Sequence, residues 1–419
     1  MRTAKSSRPV VRLWSFLEQA GRGHLLMANG NNSLRGKVAI VGAADTEVGI
    51  LADRTANELC VEAALAALAD AGIDKSQVDG LITCNTMSQP MLYHAEAIAE
   101  YLQIFPRYCM AAGAGGGTTF SILHHAASAI ATGMVDTVLI TMADCMRSGL
   151  SREQAMLVQS STGHPQFEQP YGATVPAYYA LIAQAHMHQF GTTPAQLASI
   201  AVSTRAHAAL NPAAQMRDPI TVEDVLASRM IADPLRLLDC SLVSDGGSAV
   251  VMTSAERARD FPHQPAYLLG VGEGHRHEHI SQAHDLTTSA AKDAGERAYA
   301  MAGLGPGDMQ FAQLYDCFTP TVLVELEDLG FCAKGEGGPF AESGALQPGG
   351  SLPVNTHGGL LSHSHPGNPG SMFALTESVW QLRHAAGERQ VPGAEVGLVH
   401  AQGGIMSSHT ALILGRETD

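Results

Sequence analysis

Lys37-Val-Ala-Ile-Val-Gly42 and, far downstream, Ala266-Tyr-Leu-Leu-Gly-Val-Gly272 read alike: a short apolar run closed by a glycine turn. Such a run is a strand buried on both faces. The elements downstream of each run also match. After the first comes an alanine-rich helix from Asn57 to Asp70, closed by Ala71-Gly72, and then a strand from Val78 to Thr83. After the second comes a helix from Lys292 to Met301, closed by Ala302-Gly303, and then a strand from Met309 to Tyr315.

A third pair completes the echo. Gly115-Gly-Gly117 opens a helix with Phe120, Leu123, Ala127 and Ile130 on one face, followed by a strand from Thr137 to Met142. Gly370 opens its counterpart, with Met372, Leu375, Val379 and Leu382 aligned, followed by a strand from Glu395 to His400. Strands alternating with helices imply βαβ units and mainly parallel pairing, with helices over both faces. The fold expected is therefore α/β, with two similar halves of layered mixed sheets, residues 35–262 and 263–419. An insertion at about 147–234 carries helices near Tyr178 to Gln189 and Pro194 to Leu210. A third begins at Thr221, where Thr-Val-Glu-Asp has the form of a capping box. The insertion suits either a lid over a site or a support for dimerisation.

Residues 1–34 stand apart and are expected to be a disordered extension or a misread start, with Met27 as the alternative first residue. Their apolar stretches are too broken for a signal peptide. At 419 residues there is room for two or three domains of ~150 each, and 45% hydrophobic residues suffice for a large core. A formal charge of −15 argues against a general nucleic-acid binder. No run approaches the ~18 apolar residues of a membrane helix. The seven cysteines include no CxxC pair, which fits a reducing cytoplasm.

The motifs converge near the C-terminus. Asn355-Thr-His-Gly-Gly-Leu-Leu-Ser-His-Ser-His365-Pro-Gly-Asn-Pro-Gly370 resembles the asparagine-glycine-glycine and glycine-histidine-proline segments of thiolases. Tyr315-Asp-Cys-Phe-Thr319 with Glu327-Asp-Leu-Gly-Phe-Cys332 resembles the histidine-aspartate-cysteine-phenylalanine block of the sterol-carrier-protein type. Ser244-Asp-Gly-Gly247, Gln381-Leu-Arg383 and Arg389-Gln-Val-Pro392 fall in the same order as further family landmarks. The resemblance spans Gly36 to the C-terminus. It implies a thiolase-like fold, a homodimer, and an acyl-CoA thioester as substrate, with no permanently bound cofactor and no metal.

It also implies residue roles. His365 would polarise the thioester oxygen and assist proton transfer, work that suits an imidazole. His357 and His363 would lie near it, as would Asn355 and Gly404. Gly115, Gly116, Gly117 and Thr118 open a helix whose first amides could hold the thioester oxygen as it turns negative. The nucleophile is where this chain departs from the family. Thiolases carry a reactive cysteine three residues before a glycine-serine or glycine-threonine pair, and aligning that pair on Gly117-Thr118 puts Ala114 there. A methyl group forms no acyl-enzyme. Cys109, five residues upstream, is expected on a strand and is a weak substitute.

Tyr315 stands where the family has histidine. In this respect the chain resembles thiolase-like aldolases of steroid side-chain degradation. Those lack the cysteine and split β-hydroxyacyl-CoA esters with a small OB-fold (zinc-ribbon) partner. Three readings remain open: a carbon–carbon bond-making or bond-breaking enzyme without a covalent intermediate, an acyltransferase using another thiol, and a non-catalytic acyl-CoA-binding subunit. His275-Arg-His-Glu-His279 lacks the helical spacing of a zinc motif and reads as a polar loop.

Overall fold

Strand β1 (Val38–Asp45) runs through the middle of the molecule, paired on one side with β7 (Asp245–Ser254) and on the other with β8 (Ala266–His275). The computed structural model describes residues 33–113 and 115–418. Ala114 and all but the end of the expected extension lie outside the described residues. From Leu34 onward the chain packs as one compact unit.

In the first half, α1 (Ala56–Ala71), β2 (Gly80–Cys84), α2 (His94–Leu102), β3 (Tyr108–Ala112), α3 (Thr118–Ala131) and β4 (Thr137–Cys145) come after β1. The inserted region holds α4 (Arg152–Ser161), α5 (Val175–Phe190), α6 (Pro194–Ala209), α7 (Val222–Ala227) and a hairpin of β5 (Met230–Ala232) with β6 (Leu235–Arg236). A short α8 (Ala255–Ala258) comes directly after β7. The second half then runs α9 (Ala291–Ala302), β9 (Phe311–Gln313), α10 (Thr319–Asp328), α11 (Gly337–Glu342), α12 (Gly370–Leu382), β10 (Val396–Gly403) and β11 (Ser408–Gly415).

The sheet order β3-β2-β4-β7-β1-β8-β11-β10-β9 reads as two series that meet at β1 and β8, so the sequence echo is visible in space. The pairing is more mixed than the alternation of strands and helices suggested. Only β2–β3, β2–β4 and β9–β10 are parallel. Strands β7 and β11 return antiparallel, β7 after the long insertion and β11 across the tight turn at the end of β10.

Local chemistry explains the helices. Thr55 and Glu58 form a capping box at the start of α1, and Gly72 ends it in the left-handed conformation. The capping box expected at Thr221 is present, with Asp224 as its partner. In α12 every residue except Trp380 is buried, as it must be for a helix packed on both α3 and the strands. Its charged groups are paired: Arg389 reaches Glu377 at 2.9 Å, and Glu377 also accepts from Thr356 and Gln381. Arg383 binds Asp70 at 2.7 Å and the Val41 carbonyl at 2.8 Å, tying the second half to the first. The Gln381 and Arg389 landmarks are thus the partners that let a polar loop approach a buried helix.

Among the described residues, no helix is long and apolar enough to cross a membrane.

Candidate active site

A cavity of about 320 Å³ opens where the two halves and the inserted region meet. Gly116, Tyr315, His365, Gly403 and Gly404 form its polar end. Met146, Val158, Val175, Ile231, Leu237 and Val243 make its walls apolar.

The two glycine turns at the polar end touch. A Cβ on Gly115, whose φ is +61°, would lie 2.9 Å from the Gly404 nitrogen and 3.0 Å from the Gly403 Cα. A Cβ on Gly116 would strike the Tyr315 hydroxyl and come within 2.6 Å of the Gln402 carbonyl. Glycine is therefore required here for close approach, beyond any preference of the adjoining helix. Gly117 is the N-cap of α3. The Thr118 amide and hydroxyl both bond the Gly115 carbonyl, at 3.0 and 2.5 Å. Thr118 thus spends its expected donors within the turn, and an oxyanion would have to use the glycine amides ahead of it.

His365 and Tyr315, 50 positions apart in the chain, form a hydrogen-bonded line. The Tyr315 hydroxyl lies 3.2 Å from His365 Nε2, and the Ser241 hydroxyl lies 2.8 Å from His365 Nδ1. The tyrosine ring meets the imidazole edge-on, with centroids 6.0 Å apart. The simplest assignment has Nδ1–H donating to Ser241 and the Nε2 lone pair accepting from Tyr315. The His365 backbone N–H is fixed in turn by the Ser244 hydroxyl at 3.0 Å. Desolvation pushes the His365 pKa down to about 4, so the ring is a neutral base near pH 7. Burial lifts the Tyr315 phenol well above the usual tyrosine range and keeps it protonated.

Asp316, next in the chain, turns away from the cavity and clamps the histidine loop. Its carboxylate accepts from the Leu360 N–H at 2.6 Å and the Leu361 N–H at 3.3 Å, at the start of a π-turn over Gly359–His363. Asn355, with φ +58°, accepts from the Leu314 N–H at 2.7 Å. It thereby sets the chain just ahead of Tyr315. His357 faces Gln313 Oε1 at 3.3 Å, and His363 pairs with the Ser364 hydroxyl at 2.9 Å. All three are buried and none lines the cavity, so the structure does not bring these expected substrate-binding residues to it. Gly404 does line it.

Some residues around the site carried no signal in the sequence. Ser241, which lines the cavity, holds the His365 ring, while Ser244 of the Ser244-Asp-Gly-Gly247 landmark, outside the lining, holds its backbone. Tyr179, from α5, donates to the Gly404 carbonyl at 3.2 Å, accepts from Gln402 Nε2 at 2.6 Å and stacks on Phe318. Cys317 and Cys240 also line the wall, but burial pushes both thiols up to about 12, far from the thiolate a nucleophile needs. Cys109 sits on edge strand β3, outside the cavity, with its pKa raised to about 11 by burial. The loop from His275 to His279 holds no helical pair; His277 reaches the Ile405 carbonyl.

Two family models match the chain: the thiolase N-terminal domain over residues 38–256, and the thiolase C-terminal domain-like model over residues 272–416. The 17-hydroxy-3-oxo-4-pregnene-20-carboxyl-CoA lyase of Mycobacterium tuberculosis is 39% identical, across 91% of this chain and 100% of its own length. The acetyl-CoA acetyltransferase of Methanothermobacter thermautotrophicus is 36% identical, across 90% of this chain and 99% of its own. Among solved structures, the Ltp2–ChsH2(DUF35) aldolase is similar at a TM-score of 0.80 and 37% identity, covering 91% of this chain and 98% of that one.

Proposed function

This chain belongs to the thiolase family, and on that premise we propose that it cleaves or forms the carbon–carbon bond of a β-hydroxyacyl-CoA by an aldol-type reaction, without a covalent acyl-enzyme. The observation that carries the reading is the line Ser241–His365–Tyr315, which ends beside the paired glycine turns in a largely apolar cavity.

In the cleavage direction, the Tyr315 oxygen takes the proton of the substrate β-hydroxyl as its own proton passes to His365 Nε2. The β-oxygen becomes a carbonyl, and the Cα–Cβ electron pair moves into the thioester to form an enolate. Amides at the Gly115–Gly117 turn, backed by α3, hold the enolate oxygen. The α-carbon then takes a proton, relayed from protonated His365, which returns to its neutral form, leaving a shortened acyl-CoA and a ketone or aldehyde. Tyr315 and His365 are catalytic residues in this scheme. Asp316, Asn355 and Ser241 position them. The apolar walls receive the carbonyl product. Coenzyme A is substrate, so the reaction asks for no permanently bound cofactor. A small OB-fold protein with a zinc ribbon is proposed as the partner, supported by the two-component make-up of the similar aldolase. The seven cysteines, all free thiols, fit a cytoplasmic setting.

The test is a panel of β-hydroxyacyl-CoA esters, assayed with and without a co-expressed OB-fold partner, with the shortened acyl-CoA read by mass spectrometry. Cleavage is expected. The acyltransferase reading, favoured by the similar acetyltransferase, makes the opposite forecast in a second measurement. Incubation with acetyl-CoA is expected to leave the intact mass unchanged, because Ala114 replaces the nucleophile and the cavity thiols are held protonated. A stable acetyl adduct on Cys317, Cys240 or Cys109 refutes the non-covalent route. A protein that binds acyl-CoA but is inert in every pairing is instead a binding subunit.

We also propose a homodimer joined through the first half. β3 ends the sheet, all five of its residues are partly exposed, and Phe105 and Tyr101 stand uncovered nearby. An open edge beside exposed aromatics is a pairing surface. Sedimentation velocity at micromolar concentration should show a dimer, and Phe105→Glu should shift it toward monomer. A parent protein that is monomeric throughout removes the proposal.

A further inference from the structure

Away from the cavity, three ionisable side chains meet with essentially no exposure: Glu325 on α10, His400 on β10 and His409 on β11. In the β10–β11 hairpin, His400 lies opposite Ala411 and His409 opposite Gln402. Positions 400 and 402 point to the same face of their strand, so both histidines project from one face of a rigid hairpin. Glu325 approaches that face from α10.

Four polar atoms of this cluster lack a well-aligned hydrogen bond. The Glu325 oxygens, His400 Nδ1 and His409 Nε2 have no well-aligned partner, although the Tyr315 backbone lies close to Glu325 and the Met406 backbone close to His409. Glu325 Oε2 and His400 Nδ1 are 3.3 Å apart, within reach of each other but not aligned as donor and acceptor. His400 Nε2 and His409 Nδ1 are 3.1 Å apart. Burial holds the Glu325 carboxyl well above the usual range, so without a cation it is favoured as the neutral acid, and a buried polar group with poorly aligned partners calls for an unseen water, ion or chemical role.

The two contacts use opposite nitrogens of the His400 ring, and an ion would take only one of them, so it would replace one contact and draw the third residue in. One donor atom from each residue can be chosen so that all three lie within 4.8 Å of one another. Closing such a set to the ~3.3 Å edge of a tetrahedral ion would take a shift of roughly 1–2 Å in one of the side chains. Two imidazoles and one carboxylate suit zinc or a similar transition ion rather than magnesium or calcium, which prefer all-oxygen shells.

We propose that Glu325, His400 and His409 form a buried site for one divalent transition-metal ion. This departs from the expectation of a metal-free protein drawn from the sequence, where the three residues lie 75 and 9 positions apart and match no metal motif. The ion would not touch substrate. It would tie α10 to the hairpin whose turn supplies Gly403 and Gly404 to the cavity, and so hold the two sides of the polar end together. The proposal is independent of the reaction assigned above.

The test needs no activity assay. Full-length protein is stripped with a chelator, offered Zn²⁺ or Co²⁺, dialysed, and measured by elemental mass spectrometry. About one ion per chain should be retained, and the thermal midpoint should rise on loading. Glu325→Gln and His409→Gln should each retain at least about tenfold less metal. His275→Ala/His279→Ala, at and just beyond the end of β8, should retain as much as the parent. If the substituted proteins fail to fold, the Co²⁺ form of the parent decides. Visible d–d bands of a four- or five-coordinate nitrogen–oxygen site are expected, and the spectrum of hydrated octahedral Co²⁺ would refute the site. Retention that is negligible in the folded parent, unchanged by Glu325→Gln and His409→Gln, or lost with His275 and His279 overturns the proposal.

Discussion

Tyr315→Phe should lower turnover by about 10²–10⁴ while leaving acyl-CoA affinity nearly unchanged, because the hydroxyl acts on a proton that moves only in the transition state. The substitution deletes one oxygen from a buried ring packed edge-on against His365 and close over Gly116. The ring itself stays, so the cavity keeps its shape. The only partner left unpaired is His365 Nε2, at a structural cost of about 1–3 kcal/mol. The rate loss corresponds to about 3–5 kcal/mol of transition-state stabilisation. Calorimetric binding of a non-cleavable acyl-CoA ester, set beside steady-state kcat, separates the two effects. A raised Kd with unchanged kcat would make Tyr315 a binding group and remove it from the chemistry.

Tyr315 was legible in the sequence because it sits inside a block with several other matching residues, and the same holds for His365. The residues that orient them were harder to find. Ser241 lies 124 positions from the imidazole it contacts, and Tyr179 lies 225 from the Gly404 carbonyl. A lone serine or tyrosine has no spacing that reveals such a partner. His357 and His363 illustrate the converse. Closeness in sequence to His365 suggested closeness in the site, but the π-turn and its Asp316 clamp direct both rings into the core of the loop.

The fold was legible for a similar reason, with one systematic gap. Buried strands write themselves as apolar runs, and the glycines and caps between them mark the helices, so the repeat could be followed for its whole length. Strand direction leaves no such mark. Ala249-Val-Val-Met-Thr253 in β7 and Ala411-Leu-Ile-Leu414 in β11 are buried on both faces and look like parallel strands, yet both run antiparallel. Strand β9 is also shorter than its apolar run. Beyond Gln313 the Leu314 amide is taken by the Asn355 side chain, so the ladder ends and the chain turns toward the cavity. The shortening and the placement of Tyr315 have one cause.

His365→Ala should be as damaging as the loss of the phenol, about 10²–10⁴ in kcat, and its pH profile carries the more specific signature. With a pKa of about 4 in the folded protein, against an ordinary 6.5, the imidazole is neutral across pH 5–8. The parent rate contributed by this group should therefore be flat there and fall as pH drops through about 4, where protonation removes the Nε2 lone pair. The same depressed pKa destabilises the fold in acid. Between about 6.5 and 4 the unfolded chain binds a proton that the folded ring refuses, so stability contributed by this group falls as pH is lowered through that window. The alanine variant should lose both the acid limb of the residual rate and its share of the acid lability, and added imidazole should restore part of the rate. Ser241→Ala provides the control for position. It leaves the base in place but releases Nδ1, so kcat should fall less than in His365→Ala and the acid limb should persist. If His365→Ala keeps the limb instead, the titrating group lies elsewhere and Tyr315 passes its proton by another route.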